Sequence, residues 1–168
     1  MSYRNKTYTA FDGDKDIHYY YLMKAWKHSK HVSFNFYDAH DINSARDTST
    51  EETIKRRLAE RMSNAKYFVL LVGVSTRYLT KFVKWEIQQS LKYEIPSIVI
   101  NLNGKRHMDA EYCPPLIRNE LAIHIPFRQA IVEYALNSWS SEHVGHIASR
   151  SKGPYYYEDS VYRALGIK

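Results

Sequence analysis

Apolar and polar residues alternate along the chain in short blocks that predict five strands separated by helices. Residues 68–74 are almost entirely apolar, which is typical of a central parallel strand covered on both faces, and residues 97–102 are predicted to form another strand. Residues 32–37 instead alternate apolar and polar side chains, as a half-buried strand does. Two further short blocks, at residues 7–11 and 121–125, complete the predicted set of strands.

Between these strands, apolar residues recur at intervals of three and four, which predicts amphipathic helices. One of them is expected to begin at a capping box formed by Ser49 and Glu52, and to bury Ile54, Leu58 and Met62 on one face. Gly166 is expected to end the last helix. The other predicted helices span residues 17–28, 79–93, 127–137 and 159–165.

Strands that alternate with helices predict a doubly wound α/β domain around a five-stranded parallel sheet. For a chain of this size we expect the flavodoxin-like strand order 2-1-3-4-5. We assign residues 1–137 to this domain and residues 138–168, where the pattern is weaker, to a C-terminal extension packed on it. Ligands bind such sheets at the carboxyl ends of the strands where the order reverses, which brings Phe11 and Asp12 opposite Ser75.

Composition indicates a soluble, single-domain protein. The chain has 168 residues, of which 44% are hydrophobic, and it has no apolar run of membrane-spanning length and no signal-peptide core, so we expect a cytoplasmic location. The net charge of +6 would suit a polyanion, but the basic residues are scattered, so nucleic acid is not the expected partner. Cys113 is interpreted as structural, and no metal site is expected because the closely spaced histidine pairs lack a third acid or thiol at ligand spacing.

Three ligand chemistries common at such a crevice do not fit these residues. A flavin phosphate needs a loop rich in serine, threonine and glycine after the first strand, but this loop reads FDGDKD. A phosphoacceptor domain needs an aspartate where the third strand ends in Gly-Val-Ser, and a dinucleotide fingerprint G-x-G-x-x-G is absent. The crevice residues that remain are Phe11, Asp12, Asp38, Ser75 and Glu86.

Several segments resemble the TIR-like proteins of the Thoeris anti-phage type, a branch of the TIR superfamily. They are the Ala10–Phe11 pair with the acids that follow it, residues 36–39 (FYDA), 69–76 (VLLVGVST), 82–87 (FVKWEI) and 97–101. These anchors span roughly residues 7–102, and the W-E-I step is the most specific of them.

The resemblance implies a TIR-like fold and an enzyme that consumes NAD⁺ as its substrate, with no separate cofactor. Nicotinamide would be expelled, and the ADP-ribose would be cyclised or hydrolysed to a signal that activates a separate effector. Glu86 falls on the family's catalytic glutamate, and a carboxylate there can stabilise the oxocarbenium character that develops at the ribose. The substrate-binding residues implied are Phe11 and Trp85 as pocket walls, with Asp12, Asp38 and Ser75 as polar contacts.

Two alternatives stay open at this point. The chain can be a non-enzymatic TIR-like interaction module, in which Glu86 is an ordinary surface residue and the domain assembles with copies of itself. It can also be a basic nucleic-acid binder, whose binding would depend steeply on salt. The acids after Phe11 also depart from the family spacing, because Lys15 stands between Asp14 and Asp16.

Overall fold

The computed structural model describes residues 5–26, 34–37 and 50–168, and its centre is a parallel sheet. Six strands pair side by side in the order β2-β1-β3-β4-β5-β6, and every pairing is parallel. The strands are β1 (Asn5–Ala10), β2 (Phe34–Tyr37), β3 (Tyr67–Val72), β4 (Ser97–Asn101), β5 (Ala122–Pro126) and β6 (Tyr155–Tyr156).

Helices cover both faces of this sheet. The helices are α1 (Ile17–Trp26), α2 (Glu51–Ser63), α3 (Val83–Lys92), α4 (Gln129–Ala148) and α5 (Asp159–Ala164). One apolar core contains side chains of α1, α4 and α5, and a second contains side chains of α2 and α3. The predicted doubly wound α/β class is therefore confirmed. Within the described ranges, none of the helices is long and apolar enough to cross a membrane.

β3 shows why the sheet separates the two cores. All six of its side chains are buried, and they alternate between the two faces. Tyr67, Val69 and Leu71 belong to the core of α1, α4 and α5. Phe68, Leu70 and Val72 belong to the core of α2 and α3. A strand covered on both faces has to be apolar at every position, which is what its sequence shows.

The C-terminal part of the chain differs from the prediction. The helix expected to end at Asn137 continues to Ala148, so the boundary placed at 137/138 falls inside α4. The polar residues around this point weaken the apolar pattern, but Trp139 and His143 are buried and hold the helix against the core. Tyr155 and Tyr156 pair with β5 and add the sixth strand to the five that were predicted.

The beginnings of α2 and α3 also differ from the prediction. Thr50 caps α2, because its hydroxyl accepts a hydrogen bond from the Thr53 amide, and Ser49 lies outside the described residues. α3 begins at Val83 rather than at residue 79, after a 3₁₀ turn at Thr76–Tyr78. Glu86 therefore lies in the first turn of α3, where the helix dipole favours a negative charge.

Three helices end in the same hydrogen-bonded motif, which requires a left-handed residue just after the helix. After α5 this residue is Gly166, as predicted. After α3 it is Glu94, with a φ of 52°, and after α4 it is Arg150, with a φ of 55°. After α4 the amide of Arg150 donates to the carbonyl of Ile147, and the amide of Ser151 donates to that of His146. A side chain at such a φ carries a steric cost that glycine lacks.

Replacing Arg150 with glycine is therefore expected to raise the free energy of unfolding by about 0.5–1 kcal/mol, because glycine adopts this conformation without a Cβ clash. The control is Arg150→Ala, which removes the same side chain but keeps the Cβ. Urea unfolding of the three proteins measures the effect. Equal stability of the glycine and alanine variants would contradict this account.

Candidate functional site

A cleft lies at the carboxyl ends of β1 and β3, which are neighbours in the sheet. Its walls are residues 11–14, from the loop after β1, and residues 78–83, which lead into α3. The cavity volume is about 380 Å³. The crevice expected at the point where the strand order reverses is therefore present between these two loops.

Asp12 holds the two sides of this cleft together. Its side chain is only 4% exposed, and Ser75 Oγ donates a hydrogen bond of 2.6 Å to Asp12 Oδ2. The other carboxylate oxygen, Oδ1, accepts from the backbone amides of Asp14 at 3.0 Å and Lys15 at 3.3 Å. Both oxygens of a buried carboxylate are thus satisfied, so the loop after β1 is fixed to the loop after β3.

Gly73 allows a second carboxylate to approach this point. A Cβ at Gly73 would collide with the carboxyl group of Asp16, which is buried. The Gly73 amide donates to Thr76 Oγ1 at 2.9 Å, and this side-chain bond favours a turn over an earlier start of α3. Burial, and then the negative charge of the neighbouring Asp12, raise the pKa of Asp16 above its ordinary value.

Glu86 lies one helical turn beyond the cleft wall. Its amide donates to the carbonyl of Phe82, a residue of the wall, at 2.8 Å. The Glu86 side chain is 6% exposed, and Tyr8, a fully buried residue of β1, donates its phenol hydroxyl to Glu86 Oε2. Glu86 is thus a buried, hydrogen-bonded carboxylate rather than a solvated surface side chain.

The other predicted site residues lie in different surroundings. Phe11 lines the cleft, but its ring stacks on Tyr20 at 4.8 Å between centroids, in the core on the opposite face of the sheet from Glu86. Trp85 is half-buried beside α2, where Lys55 Nζ lies 5.8 Å from its ring centroid. Asp38 lies outside the described residues, so its place in the site stays a prediction.

Tyr8 is a member of this group of side chains that sequence reasoning missed. The sequence pattern places it only within the predicted strand at residues 7–11. A signal was nevertheless present, because a tyrosine hydroxyl buried in an apolar core needs a hydrogen-bond partner. What the sequence could not identify was the partner, since Tyr8 and Glu86 are 78 residues apart.

The chain matches the model of a known family. The family described as Thoeris protein ThsB, TIR-like domain, matches residues 8–107. The matched stretch covers more than half of the chain, runs from β1 into the loop after β4, and includes Glu86 and all the predicted substrate-binding residues. The resemblance drawn from the sequence motifs is confirmed. No curated protein matches the chain significantly.

The bond between Ser75 and Asp12 is expected to stabilise the fold measurably. A double-mutant cycle of Ser75→Ala and Asp12→Asn should give a coupling energy of about 1–2 kcal/mol, because a hydrogen bond to a buried carboxylate is stronger than a neutral one. Denaturant unfolding of the wild type, both single variants and the double variant provides the four free energies. Strictly additive effects would show that the two side chains do not interact.

Asp16 predicts a pH dependence of stability. Because its pKa is raised in the folded state, the folded protein holds this proton more tightly than the unfolded chain does. The contribution of this proton to the stability of the folded state is complete below the ordinary pKa of 3.8. It is lost as the pH rises through the raised pKa of the folded state. The Asp16→Asn variant should therefore gain stability relative to the wild type as the pH rises above the ordinary value of 3.8 and through the raised pKa.

Unfolding free energies measured across this pH range test the prediction. The matched control is Asp14→Asn, which removes an exposed carboxylate from the same loop. A stability difference between wild type and Asp16→Asn that stays constant with pH would contradict it.

Proposed function

We propose that this chain, which belongs to the family of the Thoeris protein ThsB TIR-like domain, cleaves nicotinamide from NAD⁺ and makes a cyclic ADP-ribose-type signal in anti-phage defence. The observation that carries the proposal is the buried carboxylate of Glu86 in the first turn of α3, next to the wall of the cleft. The signal would diffuse through the cytoplasm to a separate effector protein.

The chemistry needs one well-placed carboxylate. When the bond between ribose and nicotinamide breaks, its electron pair moves to the pyridinium nitrogen, so nicotinamide leaves as a neutral molecule without a general acid. Positive charge then develops on the ribose, and the negative charge of Glu86 stabilises it. Burial strengthens this interaction, because little water screens it. The adenine of the same molecule then attacks to give a cyclic product, or water attacks and loses a proton to give linear ADP-ribose.

The cleft supplies groups that suit the rest of a dinucleotide. Lys81 lines it and offers a positive charge for a pyrophosphate. The carboxylate of Asp12 can accept hydrogen bonds from ribose hydroxyls while it keeps its own contacts to the loop. Under this proposal Phe11, Trp85, Asp38 and Ser75 retain the substrate-binding roles that the family resemblance implies.

A second candidate function is a non-enzymatic interaction module. It is favoured by two exposed apolar side chains beside the cleft, Val74 at 58% and Tyr78 at 70% exposure, which are suited to contact another protein. It is also compatible with Glu86 being a structural group, because its carboxylate is bonded within the fold.

Glu86→Gln is expected to reduce nicotinamide release from NAD⁺ by at least about a hundredfold, because the amide has nearly the same shape but no negative charge. Nicotinamide is quantified by chromatography and mass spectrometry, with purified protein and with extracts of phage-infected cells that express it. Glu94→Gln, an exposed glutamate just beyond the same helix, is the matched control and should release nicotinamide at the wild-type rate.

The outcomes separate the two functions. Equal release by the wild type and Glu86→Gln would contradict the assignment of Glu86. No release by the wild type in either setting, together with self-association of the purified protein, would favour the interaction module.

A further inference from the structure

Tyr8 is a fully buried residue of β1 that holds a titratable group on another element. Its ring packs in the core of α2 and α3 and stacks on Phe68, with centroids 6.0 Å apart. Its hydroxyl donates to Glu86 Oε2 and so joins β1 to the first turn of α3. β1 is an interior strand of the sheet, paired on both sides, so the donor is attached to the rigid part of the fold.

This arrangement does two things to the Glu86 carboxylate. A glutamate side chain has three rotatable bonds, and a hydrogen bond from a rigid strand selects one orientation among its rotamers. A hydroxyl that donates to a carboxylate also favours the ionised form over the neutral acid. Both effects are what a group needs if it is to present a negative charge to a reacting centre without reorganising.

We propose that Tyr8 is the positioning residue for Glu86, holding its carboxylate in one orientation next to the cleft and favouring its ionised form. This inference rests on the proposed function, in which Glu86 stabilises the developing charge on the ribose. Tyr8 acts through Glu86 and does not touch the substrate. Its phenol keeps its proton throughout, so the step it supports needs no proton transfer to or from Tyr8.

Tyr8→Phe tests the inference, because it keeps the ring that stacks on Phe68 and removes only the hydroxyl. The kcat for nicotinamide release should fall about tenfold to a hundredfold, as expected for a lost hydrogen bond to a charged group, with little change in KM. The acidic limb of the pH–rate profile should move to higher pH, because the ionised carboxylate has lost a donor.

The matched control is Tyr67→Phe. Tyr67 is equally buried on the neighbouring strand, and its hydroxyl accepts a hydrogen bond of 2.9 Å from the Ser140 amide. This variant should lose a similar amount of stability but keep the kcat and the pH–rate profile of the wild type. A loss of general stability would affect both variants alike, whereas a positioning role affects only Tyr8→Phe.

Carbon-13 NMR can monitor the titration of the Glu86 carboxylate, with Glu86→Gln used to assign its signal. This measurement does not depend on activity. A shift of this titration to higher pH in Tyr8→Phe supports the inference, and an unchanged titration overturns it. An unaltered kcat and pH–rate profile in Tyr8→Phe overturns it as well, while leaving the proposed function intact. Equal nicotinamide release by Glu86→Gln overturns the proposed function instead, and the carboxylate titration still decides whether Tyr8 donates to the ionised Glu86 carboxylate.

Discussion

The carboxyl edge of the sheet depends on the burial of two carboxylates, each bonded to a hydroxyl from a distant part of the chain. Asp12 receives the hydroxyl of Ser75, and Glu86 receives that of Tyr8. Removing a carboxylate from water is costly unless hydrogen bonds replace its hydration. These bonds offset that cost. The first also fixes the loop after β1 to the loop after β3, and the second fixes β1 to α3. The same contacts that stabilise the edge therefore shape the site.

Two further unusual features of the fold lie at the same edge. Asp16 is buried beside Asp12, and only a glycine at position 73 leaves room for it. The start of α3 is delayed by the turn at Thr76, which places Glu86 near the positive end of the helix dipole. Buried carboxylates and a delayed helix start run against the local preferences of the sequence. Such exceptions concentrate where a protein binds or reacts. This concentration agrees with the site proposed around Glu86.

The last thirty residues pair and pack with the rest of the fold. β6 pairs with β5, and the side chains of α5 enter the same core as α1 and α4. Arg106, in the loop after β4, packs on the ring of Tyr162 at 4.1 Å, lies 3.8 Å from the carboxylate of Asp159 and donates to the carbonyl of Lys168. The family match ends at residue 107, so these contacts join its last residues to the part of the chain beyond it.

The sequence by itself determined the α/β class, the buried face of α2 and the stretch that carries Glu86, because periodicity and turn chemistry are local and can be read within a few turns. The glycine stop of α5 was local in the same way. The expected strand order brought Asp12 opposite Ser75, 63 residues away, but only the tertiary structure showed the bond between them. Only the tertiary structure identified Tyr8, 78 residues away, as the partner of Glu86. It also decided the length of α4, where packing of Trp139 and His143 outweighs a weak local pattern. Contacts between distant residues depend on how the sheet is assembled, and no local spacing encodes them.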